Sequence, residues 1–327
     1  MPEILIVIIA LAILFDISNG WNDSANAIAT VVSTRVLSPL KAVIFAAVMN
    51  VLGAFFSTEV AKTIGTGIVN PTAVTEIVVA SALLSGVIWN SAMTMAGLPV
   101  SASHALIGGL IGASVAYGGV EILNIQGLLK IFSSLVTSPF IGIVFGFIFM
   151  KFILRMFGRH SPGGINRVFG RLQILSSGFM AFSHGANDAQ KVMGIITLSL
   201  VSGDIIHTVE VPFWVILMCA LAMGLGTALG GWRVIKTLGV HMLKLEPVHG
   251  FAAETSATAI ILGASAFGLP VSTTHVISTS IMGVGATKRL SAVRWGIAKK
   301  IVMAWVFTLP LCALFAWLMY KILSLIF

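Results

Sequence analysis

The sequence predicts an all-α membrane protein made of two inverted-topology repeats, with two broken helices and two re-entrant hairpins. Three observations carry that prediction: an apolar composition, two motifs that recur in the same order in each half, and a one-sided distribution of Lys and Arg. Of 327 residues, 57% are hydrophobic and only 9% charged, whereas a soluble domain carries about 25% charged residues. Such a surface is not wetted, which excludes cytosolic domains, a nucleic-acid binder and a disordered chain. The net charge of +8 then reads as loop topology and not as a polyanionic partner. Cys219 and Cys312 lie inside apolar runs without partner spacing, so neither a disulfide nor a cysteine metal site is expected. The chain starts Met1-Pro2-Glu3 with no basic residue, and the apolar run that follows is expected to be retained as a span.

A helix crosses the hydrocarbon layer with about 20 apolar residues. In chain order the candidate spans are 4–32, 40–58, 125–150, 167–202, 211–231 and 299–322. The first and fourth each contain a polar knot near the middle and are expected to open there. Two further apolar stretches, 73–118 and 250–287, are bisected by Gly-Leu-Pro and a run of hydroxyl residues. Their second arms, 104–118 and 276–287, are too short to cross, which predicts hairpins that enter and leave on one side. With the N-terminus outside, fifteen Lys and Arg residues fall in the cytoplasm and only Lys62, Lys130 and Lys321 outside. That bias holds only if both stretches turn back, and it places both termini on the extracytoplasmic side.

The repeat is visible directly. Asn19-Gly20-Trp21-Asn22-Asp23 returns in the second half as His184-Gly185-Ala186-Asn187-Asp188. Gly97-Leu98-Pro99-Val100-Ser101-Ala102-Ser103-His104 returns there as Gly268-Leu269-Pro270-Val271-Ser272-Thr273-Thr274-His275, at nearly the same offset. The predicted division is a first repeat at 1–157, a short cytoplasmic linker at 158–166 and a second repeat at 167–327. Each copy has three crossings, and an odd number inverts the second copy. The two hairpin tips then approach each other near the midplane, the organisation used by secondary transporters.

The same motifs carry the chemistry. Asp23 and Asp188 are carboxylates at membrane depth, where an ionised group needs a partner. Together with Asn22, Asn26 and Asn187 they offer hard oxygen ligands suited to Na⁺, or a proton site. Helix capping by Asn and Asp accounts for one such knot but not for a duplicated one. Ser101 and Ser103 open one short arm, and Ser272, Thr273 and Thr274 the other. Hydroxyls, free amides and a positive helix end converge there, which suits an oxyanion, although plain capping uses the same residue types. Glu254 either joins the cation site or pairs with a basic group. Lys191, standing where the first copy has Asn26, either touches the anion or neutralises Asp188. His104 and His275 read as hydrogen-bonded structural groups. Gly108 with Gly112, echoed by Thr279 and Gly283, reads as close helix packing.

The duplicated Gly-x-Asn-Asp knots and Leu-Pro-Val-Ser hairpins resemble the inorganic phosphate transporter family, PiT, over nearly the whole chain. That resemblance implies a plasma-membrane, multi-pass secondary transporter that imports inorganic phosphate by Na⁺-coupled symport with alternating access, and not an enzyme. It implies phosphate contacts at Ser101, Ser103, Gln190, Ser272, Thr273 and Thr274, and cation contacts at Asn22, Asp23, Asn26, Asn187, Asp188 and Glu254. No resident cofactor is implied; Na⁺ is co-transported, the lipid bilayer is the solvent, and a homodimer is plausible by resemblance. Na⁺ is preferred because amide and hydroxyl oxygens bind it but take no proton. The alternative is a H⁺-coupled phosphate or sulfate symporter of the same family. Animal members carry a glutamate where this chain has Asn50.

Overall fold

The computed structural model describes residues 2–70, 74–159 and 161–326. Its helices fall into two runs of the same order. The first is α1 (Pro2–Ser33), α2 (Pro39–Ala54), α3 (Glu59–Gly67), α4 (Glu76–Ala96), α5 (Ala102–Gly118) and α6 (Ile125–Phe157). The second is α7 (Pro162–Ser202), α8 (Phe213–Leu229), α9 (Trp232–Lys236), α10 (Pro247–Ala266), α11 (Thr273–Ala286) and α12 (Trp295–Leu323). A single 3₁₀ turn precedes the last helix of each run, at Val120–Ile122 and Leu290–Ala292. Pro139 inside α6 and Pro310 inside α12 stand at the same spacing as the two hairpin motifs. Of the segment 158–166, His160 lies outside the described residues, as do Met1 and residues 71–73.

The expected breaks in the first and fourth spans are not where the chain bends. Helices α1 and α7 run unbroken through their polar knots. The bends come one element later, 71° between α2 and α3 and 64° between α8 and α9 with its π-helical continuation Thr237–His241. The physical reason is that the knot side chains find partners sideways, so the backbone ladder has no cause to open. Gly20 serves close approach: a Cβ there would stand 2.5 Å from the Met223 carbonyl oxygen of α8. Gly185 packs in the same way against the Asn50 backbone of α2.

Buried apolar residues form two large clusters with a polar layer between them. Helix α1 contributes Ile8, Ala12 and Phe15 to one cluster and Ala25, Ile28 and Val31 to the other. Helix α7 meets them in the reverse order, with Met180 and Ala181 in the second and Val192 and Ile196 in the first. The two helices therefore pass through the polar layer in opposite directions. Helices α4 and α5 belong to the first cluster, α10 and α11 to the second. Gly108 and Gly112 of α5 lie against the Leu309 and Ala313 backbone of α12, and Gly283 of α11 against Ile143 of α6. These glycines are packing residues, as the spacing predicts.

Outward faces are apolar: Leu129, Val136, Phe140, Val144 and Phe152 along α6 are all exposed. Among the described residues, four helices (α1, α4, α6 and α12) are long and apolar enough to cross a bilayer, or up to six spans if each bent pair counts as one. An exposed apolar surface of this extent is stable only in lipid. The chain is an integral membrane protein.

Candidate functional site

Each hairpin turn is set by a glycine that closes the preceding helix in the left-handed region. Gly97 has φ 73° and Gly268 φ 64°, conformations that cost a side-chain-bearing residue about 1–2 kcal/mol. The next residue bonds back identically in both copies, Leu98 N–H to Met93 O at 2.9 Å and Leu269 N–H to Ala264 O at 2.8 Å. The chain then runs extended through Pro-Val to a serine cap. Ser101 Oγ accepts from His104 N–H and Ser272 Oγ from His275 N–H. The predicted phosphate contacts Ser101 and Ser272 are thus the N-caps of α5 and α11.

The knots hold these turns. Asn22 of α1 donates to Thr94 Oγ1 (2.8 Å) and Leu98 O, while its Oδ1 accepts from Val100 N–H. Asn187 of α7 repeats every contact, with Ser265 Oγ (2.8 Å), Leu269 O and Val271 N–H. Both amides, expected among the cation ligands, are engaged at both ends as clamps on the hairpins.

The hairpin tips meet. Ser103 Oγ donates to Val271 O at 3.2 Å, and the His104 and His275 rings stand 4.7 Å apart. His275 stacks on Trp305 at 3.9 Å, and Trp305 Nε1 donates to Pro99 O. The first-turn amides of α5 and α11 have no carbonyl four residues back within their own helices. Two positive helix ends therefore converge on one place.

Beneath the tips lie the two carboxylates, each 1% exposed. Asp23 accepts from Thr274 Oγ1 at 2.9 Å, and Thr273 Oγ1 lies 3.3 Å from Asp23 and 3.2 Å from Asp188. His184 Nε2 is 3.6 Å from a carboxylate oxygen of each, and its Nδ1 faces Asn50 Oδ1 at 2.8 Å. Asp23, His184 and Asp188 could hold a cation, with their ligand atoms within 4.8 Å of one another. Lys191 Nζ sits 2.5 Å from Asp188 Oδ1. Asn26 donates to Thr274 Oγ1 at 3.0 Å, and its buried Oδ1 has no hydrogen-bond partner among the described residues.

Two predicted site residues lie elsewhere. Gln190 Oε1 accepts from Val60 and Ala61 N–H at 2.8 and 3.3 Å, capping the helix after the first bend. Ser24 Oγ does the same for Gly231 N–H at the second bend, at 2.7 Å. Glu254 forms a separate buried cluster with the Thr30 and Ser176 hydroxyls and Gln173 Nε2. Thr30 is seven residues beyond Asp23 on α1, about 10 Å along the helix. Sequence reasoning assigned no role to His184 or Ser24. The spacing 184, 188, 191 along one helix face is the signal that points to His184.

Fold and site together define an integral membrane protein whose buried paired carboxylates lie under two converging helical hairpins. The profile of the Phosphate transporter family matches residues 19–316. The chain belongs to that family; it is a transporter and not an enzyme. It is 47% identical over 99% of its length to a Bacillus subtilis (strain 168) protein named "Probable low-affinity inorganic phosphate transporter", covering 98% of that relative. A Rhizobium meliloti (strain 1021) protein of the same name is 46% identical, with 97% of this chain and 96% of the relative covered. Among solved structures, "The sodium-dependent phosphate transporter" superposes with a TM-score of 0.89 at 28% identity, covering 99% of this chain and all of that one.

Proposed function

We propose that the chain imports inorganic phosphate across the plasma membrane by Na⁺-coupled symport with alternating access. The observation that carries this reading is the meeting of the two hairpin tips over Asp23 and Asp188, both nearly inaccessible to solvent. Phosphate docks on the first-turn amides of α5 and α11, beside Ser103, Thr273 and Thr274. Na⁺ binds the acidic cluster first and cancels charge that would repel the anion. The name of the superposing structure supports Na⁺ as the coupling ion, and the names of the relatives support low affinity.

The two runs, 1–157 and 167–327, are read as inverted copies, supported by the opposite passage of α1 and α7 through the two apolar clusters. On this reading α4–α5 and α10–α11 are re-entrant hairpins from opposite sides, and both termini face outside. Alternation is the rocking of one copy against the other around the shared site.

The reading is tested by phosphate uptake into proteoliposomes under an imposed Na⁺ or H⁺ gradient. An inward Na⁺ gradient is expected to drive accumulation, and Asp23→Asn to reduce it by about tenfold or more, in the range of ordinary binding coupling. Accumulation driven by H⁺ alone, unchanged when Na⁺ is replaced by choline, contradicts Na⁺ coupling.

A further inference from the structure

We infer that the Lys191 ammonium is a tethered cation, fixed in the chain at one of two equivalent cation positions. The protein therefore couples phosphate to one fewer mobile Na⁺ than its two-carboxylate site would otherwise take. The inference rests on the Na⁺-symport reading above and deepens it.

Three oxygens surround Lys191 Nζ: Asp188 Oδ1 at 2.5 Å, Ser103 Oγ at 2.6 Å and Val271 O at 2.8 Å. One is a carboxylate, one a hydroxyl and one a backbone carbonyl, the donor set of a hard monovalent cation. The repeat maps each onto a counterpart. Aligning the knots pairs Asp188 with Asp23, and aligning the hairpin motifs pairs Val271 with Val100 and Ser103 with Thr274. Two counterparts are in contact, Thr274 Oγ1 being 2.9 Å from Asp23 Oδ1, and the third lies in a turn held the same way, the Val100 amide by Asn22 as the Val271 amide by Asn187. Only the fourth residue differs. Where the second copy has Lys191, the first has Asn26, whose buried Oδ1 has no partner among the described residues and supplies a further oxygen. One position of the pair is filled by the chain's own charge, and its equivalent is an all-oxygen site suited to a mobile ion.

The donor count separates this from a direct role on the anion. An ammonium has three N–H bonds, and all three have acceptors here. None is left for a phosphate oxygen. Lys191 is 2% exposed and crosses from α7 to both hairpin tips, so it also ties the two tips together.

The test is the ratio of ²²Na⁺ to ³²P-phosphate entering proteoliposomes, measured for the parent, Lys191→Asn and Asp188→Asn/Lys191→Asn. Lys191→Asn restores the Asn26 pattern in both copies. It is expected to raise the ratio by one and to steepen the Na⁺ dependence, with phosphate KM at saturating Na⁺ within about threefold of the parent. The double variant removes the carboxylate with the ammonium and is expected to return to the parental ratio. Should Lys191→Asn fail to fold, Lys191→Gln, which likewise removes the ammonium, carries the same expectation. A parental ratio in Lys191→Asn or Lys191→Gln, or a tenfold rise in phosphate KM at saturating Na⁺ in either of these, overturns the inference while leaving Na⁺ symport standing. A parent whose uptake ignores Na⁺ overturns both.

Discussion

Asn22 and Asn187 each use the whole of one amide to hold a Leu-Pro-Val turn, and removing either strands buried backbone groups. Asn22→Ala leaves Val100 N–H and Leu98 O without partners, and an unsatisfied buried donor or acceptor costs about 1–3 kcal/mol. The expected outcome is a loss of roughly 2–6 kcal/mol for the two groups together, seen as a lower melting temperature in detergent, with the Na⁺ dependence of phosphate binding retained. Unchanged melting with Na⁺ dependence lost would instead make Asn22 a cation ligand. At this scale the motif residues Asp23, Asp188, Ser103, Thr273 and Thr274 were legible because duplication marks them and their chemistry is unusual in lipid. Gln190 and Ser24 were not, since their partners lie 130 and 207 residues away across the bends. No local pattern reports such a contact.

The helical elements divide the same way. Hairpin arms were legible from Gly-Leu-Pro, because only glycine relaxes at the positive φ of Gly97 and Gly268, and proline then keeps the chain extended. The unbroken course of α1 and α7 was not, because a polar knot with glycine reads equally as an opened helix or as a tight lateral packing site. Glycine substitutions separate the two uses. Gly97→Ala meets positive φ and Arg233 Cβ at 3.1 Å, and is expected to cost about 1–2 kcal/mol. Gly263→Ala in α10 meets nothing within 4 Å and is expected to stabilise by about 0.5–1 kcal/mol. Thermal unfolding of the two variants against the parent gives both signs; equal shifts would contradict the account of the hairpin turn.

Across the whole molecule, the inverted pair predicts where loops emerge. Glu121 and Lys288 are exposed residues at corresponding ends of α5 and α11. The inverted arrangement proposed above, with both termini outside, puts Glu121 outside and Lys288 in the cytoplasm. Both native cysteines are buried and free, so Glu121→Cys and Lys288→Cys can be labelled against a low background. An impermeant maleimide applied to intact cells is expected to modify the first and spare the second; the opposite pattern, or labelling of both, would contradict the inversion. The expected orientation rests on the charge asymmetry of the sequence, because loop side follows Lys and Arg whatever the packing.

The central claim is that one buried site couples cation and phosphate through the carboxylates beneath the two tips. Isothermal titration of phosphate into the purified protein, with Na⁺ and with choline, tests it most directly. Na⁺ is expected to tighten phosphate by about tenfold, phosphate to tighten Na⁺ by the same factor, and Asp23→Asn to abolish both effects. Equal phosphate affinity in Na⁺ and choline, or full coupling in Asp23→Asn, would contradict it.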